Sequence, residues 1–240
     1  MAVILAPPAK RAAVPPLENG DRLGAHEFLR RYEAMPEVRK AELINGIVYM
    51  PSPVRYTDHA KPDNAIQWWL KHYSIHTPGT SAGTNATTRL GPDDVPQPDA
   101  LLRILPERGG RSRVDAKGYL QGSPELVVEI AASSVSIDAG EKLRSYRRAG
   151  VLEYILWRTE DGALDWWALE EDEYRPLVPD ADGVLRSCVF PGLWLDVRAL
   201  LADDGAKVLA TVEAGLQDAA HEAFVRQLRS KSSGTAARPE

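Results

Sequence analysis

Glu129 stands where an ordinary core would not put it. The run LVVEIA at 126–131 is aliphatic on both sides of this residue, which predicts a strand buried on both faces with a carboxylate in its middle. Taking an ionised carboxylate out of water costs several kcal/mol, so Glu129 needs a cation, a proton or a metal. A Glu at the strand's end, or one paired with an arginine, is the alternative reading. About 30 residues earlier, Pro98-Asp99 runs directly into ALLRIL at 100–105, and a proline is tolerated at the first positions of a strand. Asp99 is therefore expected at the mouth of one strand and Glu129 near the end of the next. Two carboxylates so placed are a usual cradle for a hard divalent cation such as Mg²⁺. Lys142 falls in the first turn of the following predicted helix, where the macrodipole mildly disfavours it, and it can swing back over the strand end. Taken alone it also reads as a solvated lysine beside Arg144, Arg147 and Arg148, three residues that would offer a phosphate backbone a basic patch.

The elements that must position these groups come out short. GAHEFLRRYE at 24–33 predicts a helix, and ELI-NG-IVYM at 42–50 a hairpin, since Asn45-Gly46 accepts the positive φ angles of a tight turn. A second helix is expected from Asp58 to Tyr73, with Ile66, Trp69 and Leu70 as its apolar stripe, and a loop from Thr77 to Thr84. After the Glu129 strand comes a helix from Gly140 to Ala149, stopped by Gly150. VLEYILW, ALDWWAL, EYRPLV and VLRSCVF read as a strand and a meander. Leu209, Val212, Leu216, Ala220, Phe224 and Leu228 recur at helical spacing, which predicts one C-terminal helix weakened at Gly215. This order predicts an α/β fold: one mixed β-sheet flanked by helices, with a C-terminal helix. The folded unit is expected over 21–229, between an Ala/Pro-rich arm at 1–20 and a disordered tail at 230–240.

Composition narrows the function. The 240 residues are 44% hydrophobic and 26% charged, and the single cysteine, Cys188, excludes a disulfide framework or a multi-cysteine metal site. No apolar run approaches the roughly 18 residues of a membrane span, and MAVILAPPAK lacks the basic start of a signal peptide, so a cytoplasmic protein is expected. A net charge of −5 argues against a non-specific nucleic-acid coat protein but not against an enzyme that meets DNA through a local patch.

ELINGIV, His59 at a helix start, QPDALL, LVVEIAASS, EKLRSYRRAGVLEYILW and PGLWLDVRALL stand in an order that resembles the Uma family of bacterial restriction-endonuclease-type proteins. That family is a branch of the PD-(D/E)XK nuclease superfamily. The likeness covers roughly residues 25–200. It implies a restriction-endonuclease-like core and metal-assisted hydrolysis of a DNA phosphodiester. Asp99 matches the Asp of the PD motif and Glu129 the second acid. The superfamily's lysine two positions later is here Ala131, and Lys142 matches the family's displaced lysine. Glu42 matches an early acid that completes the metal site, and His59 an accessory histidine. Ile155 stands where the family often has Trp, a packing position. The implied ligands of Mg²⁺, or Mn²⁺ in its place, are Asp99, Glu129, the Ile130 carbonyl and Glu42, with Lys142 orienting the attacking water. The implied partners are DNA and a second copy in a homodimer. A non-catalytic protein that keeps the nuclease fold for DNA binding or dimerisation is the rival from another class.

Other signals carry less. His72 and His76 share helical spacing but lack a zinc-protease acid, and GTSAGT at 79–84 lacks the Lys-Ser/Thr of a phosphate loop. Pro62-Asp63 and Pro92-Asp93 repeat the dipeptide without a strand behind them. Ser133-Ser134 lacks a hydrolase elbow, each of Trp68-Trp69 and Trp166-Trp167 is expected to give one core and one rim residue, and Cys188 reads as a small buried residue.

Overall fold

A computed structural model of the chain describes residues 14–50 and 55–231. The arm at 1–13 and the tail at 232–240 lie outside the described residues. Helix α1 (Ala25–Tyr32) precedes the hairpin β1 (Glu42–Ile44) and β2 (Ile47–Tyr49), whose turn residues Asn45 and Gly46 have φ of 52° and 75°. A π-helical turn at Tyr56–Ala60 leads into α2 (Lys61–His76). There follow β3 (Thr80–Thr84), β4 (Thr88–Arg89), β5 (Ala100–Ile104), β6 (Arg113–Val114), β7 (Leu120–Gln121) and β8 (Leu126–Ala131). A helical segment then runs through α3 (Val135–Ile137), a π-helical turn at Asp138–Lys142 and α4 (Leu143–Ala149). Gly150 ends it at φ 74°, as expected of a left-handed cap. Strands β9 (Glu153–Arg158), β10 (Ala163–Glu170), β11 (Glu173–Pro176), β12 (Val184–Arg186) and β13 (Trp194–Asp196) lead to α5 (Val197–Leu201), α6 (Gly205–Leu216) and α7 (Ala219–Lys231).

The main sheet has six strands in the order β11-β10-β9-β8-β5-β3. Its one parallel pair is β8 with β9, joined by the α3–α4 crossover, and the other pairs are antiparallel. Alternation divides the sheet's residues between two layers. Leu126, Val128 and Ile130 pack with Ile66, Trp69, Leu70 and Tyr73 of α2 and with Val208 and Val212 of α6. Val127 and Ala131 face the other way, onto Tyr146 of α4 and Tyr154. A third cluster joins α1 and the hairpin to Val95 and Leu17. All six residues of β8 are buried, and each buried aliphatic side chain contributes about 1.5–3 kcal/mol.

Four expectations change. Thr80–Thr84 is not loop but the sheet's edge strand, because its backbone pairs with β5 although its side chains are too polar and small to announce a strand. Val184–Arg186 leaves the meander and pairs with β13 instead. The C-terminal stripe is two helices, not one: the chain breaks at Gln217-Asp218, where the Asp218 carboxylate accepts a hydrogen bond from Ala220 N at 2.8 Å. Cys188 is exposed rather than buried, since the strand ends before it. In addition, the end of the expected arm is packed, with Leu17 buried, and Ser230 and Lys231 complete α7.

Candidate active site

The antiparallel register of β5 and β8 pairs Ala100 with Val128 and Leu101 with Val127. One step outward, Asp99 stands opposite Glu129, on the sheet face that carries Val127 and Tyr146. Asp99 Oδ2 accepts a hydrogen bond from Ile130 N at 2.8 Å, which ties the mouth of β5 to β8. The hairpin brings a third acid: Leu43 and Val95 exchange backbone hydrogen bonds, so Glu42 lies beside the segment that leads to Asp99, and its Oε1 accepts from Gln97 N at 2.7 Å.

Lys142, from the π-helical turn before α4, ends among acids. Its Nζ lies 2.9 Å from Glu42 Oε2, 3.0 Å from Glu129 Oε1 and 3.3 Å from Asp138 Oδ1. Tyr146, one turn further on, donates to Glu129 Oε1 at 2.5 Å, and Ser134 donates to Asp138 Oδ2 at 2.5 Å. On the solvent side of Asp99, Lys40 Nζ lies 2.8 Å from Oδ1 and His59 Nε2 3.4 Å from Oδ2. The structure therefore brings Glu42, Asp99, Glu129, Lys142, His59 and the Ile130 backbone into one place. Lys40 joins them without a sequence signal of its own, and Asp138 with only a local one. Asp138 is one helical turn before Lys142, a spacing that pairs opposite charges.

Burial is the largest influence on most of these groups. It pushes Glu129 up to about 8, against the pull of Lys142 and with the help of Asp99, Glu42 and Asp138. Asp138 is raised for the same reason. Burial also pushes Asp99 up, but the hydrogen bond from His59 and the charge of Lys40 prevail and hold it well below the usual carboxylate range. Burial pulls Lys142 down, yet Glu129, Glu42 and Asp138 together hold it well above the ordinary lysine value. Lys40 is raised by Asp99 and Glu42 in spite of burial. His59 is raised by its hydrogen bond with Asp99. Both lysines are thus ammonium ions, not bases.

Four carboxyl groups surround two ammonium groups here, and burial keeps the Glu129 carboxyl protonated below about 8, so the cluster gains negative charge as pH passes that point. The two amines sit between the acids, and among the described residues no three carboxylate, imidazole or thiol groups converge as ligands. In chemistry the donor set fits a hard divalent cation: every donor is oxygen and the pocket is anionic. The Ile130 carbonyl adds to it, because a strand residue's N–H and C=O point to the same edge and Ile130 N–H faces Asp99.

The three arginines lie apart from the acids, each on a carboxylate of the protein itself. Arg144 pairs with Glu141 at 2.6 Å, Arg148 with Asp94 at 3.3 Å, and Arg147 with Glu173. His72 and His76 lie against each other with ring centroids 4.6 Å apart and planes tilted by 43°, and Ile155 is core. Trp69 and Trp166 are buried while Trp68 and Trp167 stand at the rim.

A mixed sheet with a buried cluster of acids and amines at the β5–β8 mouth defines a nuclease-like α/β fold. The sequence matches the family described as "Uma2: Putative restriction endonuclease" over residues 25–198, and the chain belongs to that family. Its structure is similar to the crystal structure of a putative nuclease belonging to DUF820 from Anabaena variabilis, with a TM-score of 0.55 and 17% identity. That likeness covers 72% of this chain and 97% of the other. No curated protein matches. No helix among the described residues is long and apolar enough to cross a membrane.

Proposed function

We propose that the chain is a Mg²⁺-dependent DNA endonuclease that hydrolyses a phosphodiester with water. The observation that carries this reading is the pairing of Asp99 with Glu129 on one sheet face, with Lys142 bound to Glu129 at 3.0 Å. Asp99, Glu129, the Ile130 carbonyl and Glu42 would hold Mg²⁺, or Mn²⁺ in its place. Held there, the ion would lower the pKa of a bound water and polarise the phosphate. Lys142, held by three carboxylates, is a fixed cation that orients the nucleophile and balances charge developing on the phosphate. Tyr146 fixes the rotamer of Glu129. Lys40 and His59, the more exposed of the basic groups, would face an arriving phosphate. Cutting both strands of a duplex takes two such sites, so a pair of chains is the proposed working unit, to be checked by light scattering.

The test is plasmid nicking in Mg²⁺ and in Mn²⁺. Asp99→Asn and Glu129→Gln are expected to abolish it with circular dichroism unchanged, and to remove the heat of Mn²⁺ binding in calorimetry. Equal nicking by wild type and both variants would eliminate the reading. The lysines seated among the acids favour a second reading, a non-catalytic relative that keeps the fold for DNA binding or dimerisation. Absence of metal binding in the wild type would select it.

A further inference from the structure

Beside the acid cluster, a cleft of about 310 Å³ opens between α2 and the edge strand β3. Asn64, Gln67, Trp68 and Lys71 wall it from the helix, Thr84 from the strand, and buried Ala100, the neighbour of Asp99, lies at its base. The Trp68 indole is 40% exposed, whereas its neighbour Trp69 is fully buried. A large exposed aromatic ring in a concave site is an informative exception to apolar burial. Lys61, at the start of α2, is paired with Asp203, but Lys71 has no carboxylate within 4.0 Å among the described residues.

A chain of polar contacts leads from the cleft to the acids. Asn85 Nδ2 donates to Thr84 Oγ1 at 3.0 Å, and Lys40 Nζ reaches Asn85 Oδ1 at 3.4 Å and Asp99 Oδ1 at 2.8 Å. Ala100 packs with α2 while Asp99 points to the opposite face, so these contacts pass round the mouth of β5 from the cleft toward Lys40 and the acids. Gln67 spends its amide N–H on Asp63 at 2.6 Å, which leaves its carbonyl, and both groups of exposed Asn64, for a ligand's polar edge.

We propose that this cleft takes one unpaired nucleobase of the substrate, stacked on Trp68, with Lys71 on the adjoining phosphate. This rests on the nuclease reading and narrows it, to DNA that carries an unpaired nucleotide at the cut: a single strand, flap or bulge. The size supports one nucleoside and no more, since the cleft stands at the small end of ligand sites, at about 300 Å³. A base inside a duplex is locked in its stack and must leave it to enter such a pocket. Indole stacking serves any base, so the site selects strandedness rather than sequence.

The test is fluorescence anisotropy in EDTA, which prevents cutting, with a labelled single-stranded 20-mer DNA and the same sequence as a duplex. Wild type is expected to bind the single strand more tightly than the duplex. Trp68→Ala should weaken single-strand binding about tenfold and leave duplex binding unchanged, the scale of one lost stack. Lys71→Glu, on an exposed position that does not threaten folding, should weaken the single strand to a similar degree. Unchanged single-strand binding in both variants overturns the proposal. If plasmid nicking by wild type persists alongside that result, the cleft assignment falls alone. If the wild type binds neither DNA and does not nick, both readings fall.

Discussion

Replacing Lys142 with methionine removes the one cation that three buried acids share. Glu42, Glu129 and Asp138 lie 2.9–3.3 Å from its Nζ, and all four side chains are buried. Breaking a buried ion pair by deleting one partner costs about 3–5 kcal/mol, because the remaining charge is left uncompensated. Here each acid keeps one neutral donor: Gln97 N for Glu42, Tyr146 for Glu129 and Ser134 for Asp138. The lower part of that range, about 3 kcal/mol, is therefore expected. For a chain of this size about 1 kcal/mol moves the melting temperature by roughly 2–4 °C, so Lys142→Met should melt about 6–12 °C below wild type in metal-free buffer. Circular dichroism melting at pH 8 with EDTA reads this directly. A second variant isolates the cause. Glu129 uses a single oxygen, Oε1, for both Lys142 and Tyr146, so Gln can keep the Tyr146 bond while losing the charge. Lys142→Met/Glu129→Gln should recover about half of the loss. A drop below about 2 °C in the single variant, or a double variant that melts lower still, would refute the view that excess buried negative charge governs this cluster.

Other outcomes are tested separately from the nicking and base-stacking experiments. Glu153 is wholly buried, and burial pushes its carboxyl up to about 7 against hydrogen bonds from Ser187, Cys188 N and Val189 N. Its stabilising contribution is complete below about 4.5 and is lost as pH rises through about 7, a span of at most about 3 kcal/mol. Glu153→Gln should flatten the urea midpoint between pH 5 and 8; an unchanged pH slope rejects the assignment. Gly192 has φ 87°, and a Cβ there would lie 2.6 Å from the Gly215 carbonyl oxygen and 2.8 Å from His221. Gly192→Ala should therefore lower stability by about 2 kcal/mol or more, and early proteolysis between α6 and α7 would report the loosened helices.

What could be read from the sequence was local. Glu129 in an aliphatic run, Asn45-Gly46 at a hairpin and Gly150 after a helix each announce themselves by a clash or a fit with their immediate neighbours. Asp99 was legible through the proline before its strand. The paired state of the arginines was not, because Asp94 and Glu173 reach them only through the fold. Lys40 was equally silent: its partner Asp99 is 59 positions away. Gly215 reads as a weak point in a helix, but its lack of a side chain lets the Gly192 carbonyl approach to where a Cβ would stand only 2.2 Å away. The true break, two residues later, is marked only by a capping aspartate.

The opposition of Asp99 and Glu129 depends on the β5–β8 ladder alone, while the chain between those strands, residues 105–125, makes its own small excursion through β6 and β7. Lengthening or shortening that excursion leaves the two acids in register, whereas sliding either strand by one residue turns an acid to the opposite face. The excursion is itself anchored at β4, which pairs with β7, and at Glu125, whose carboxylate accepts from Ile104 N and Arg111 N, so only its outer part is free to change length. The ladder itself tolerates no such drift.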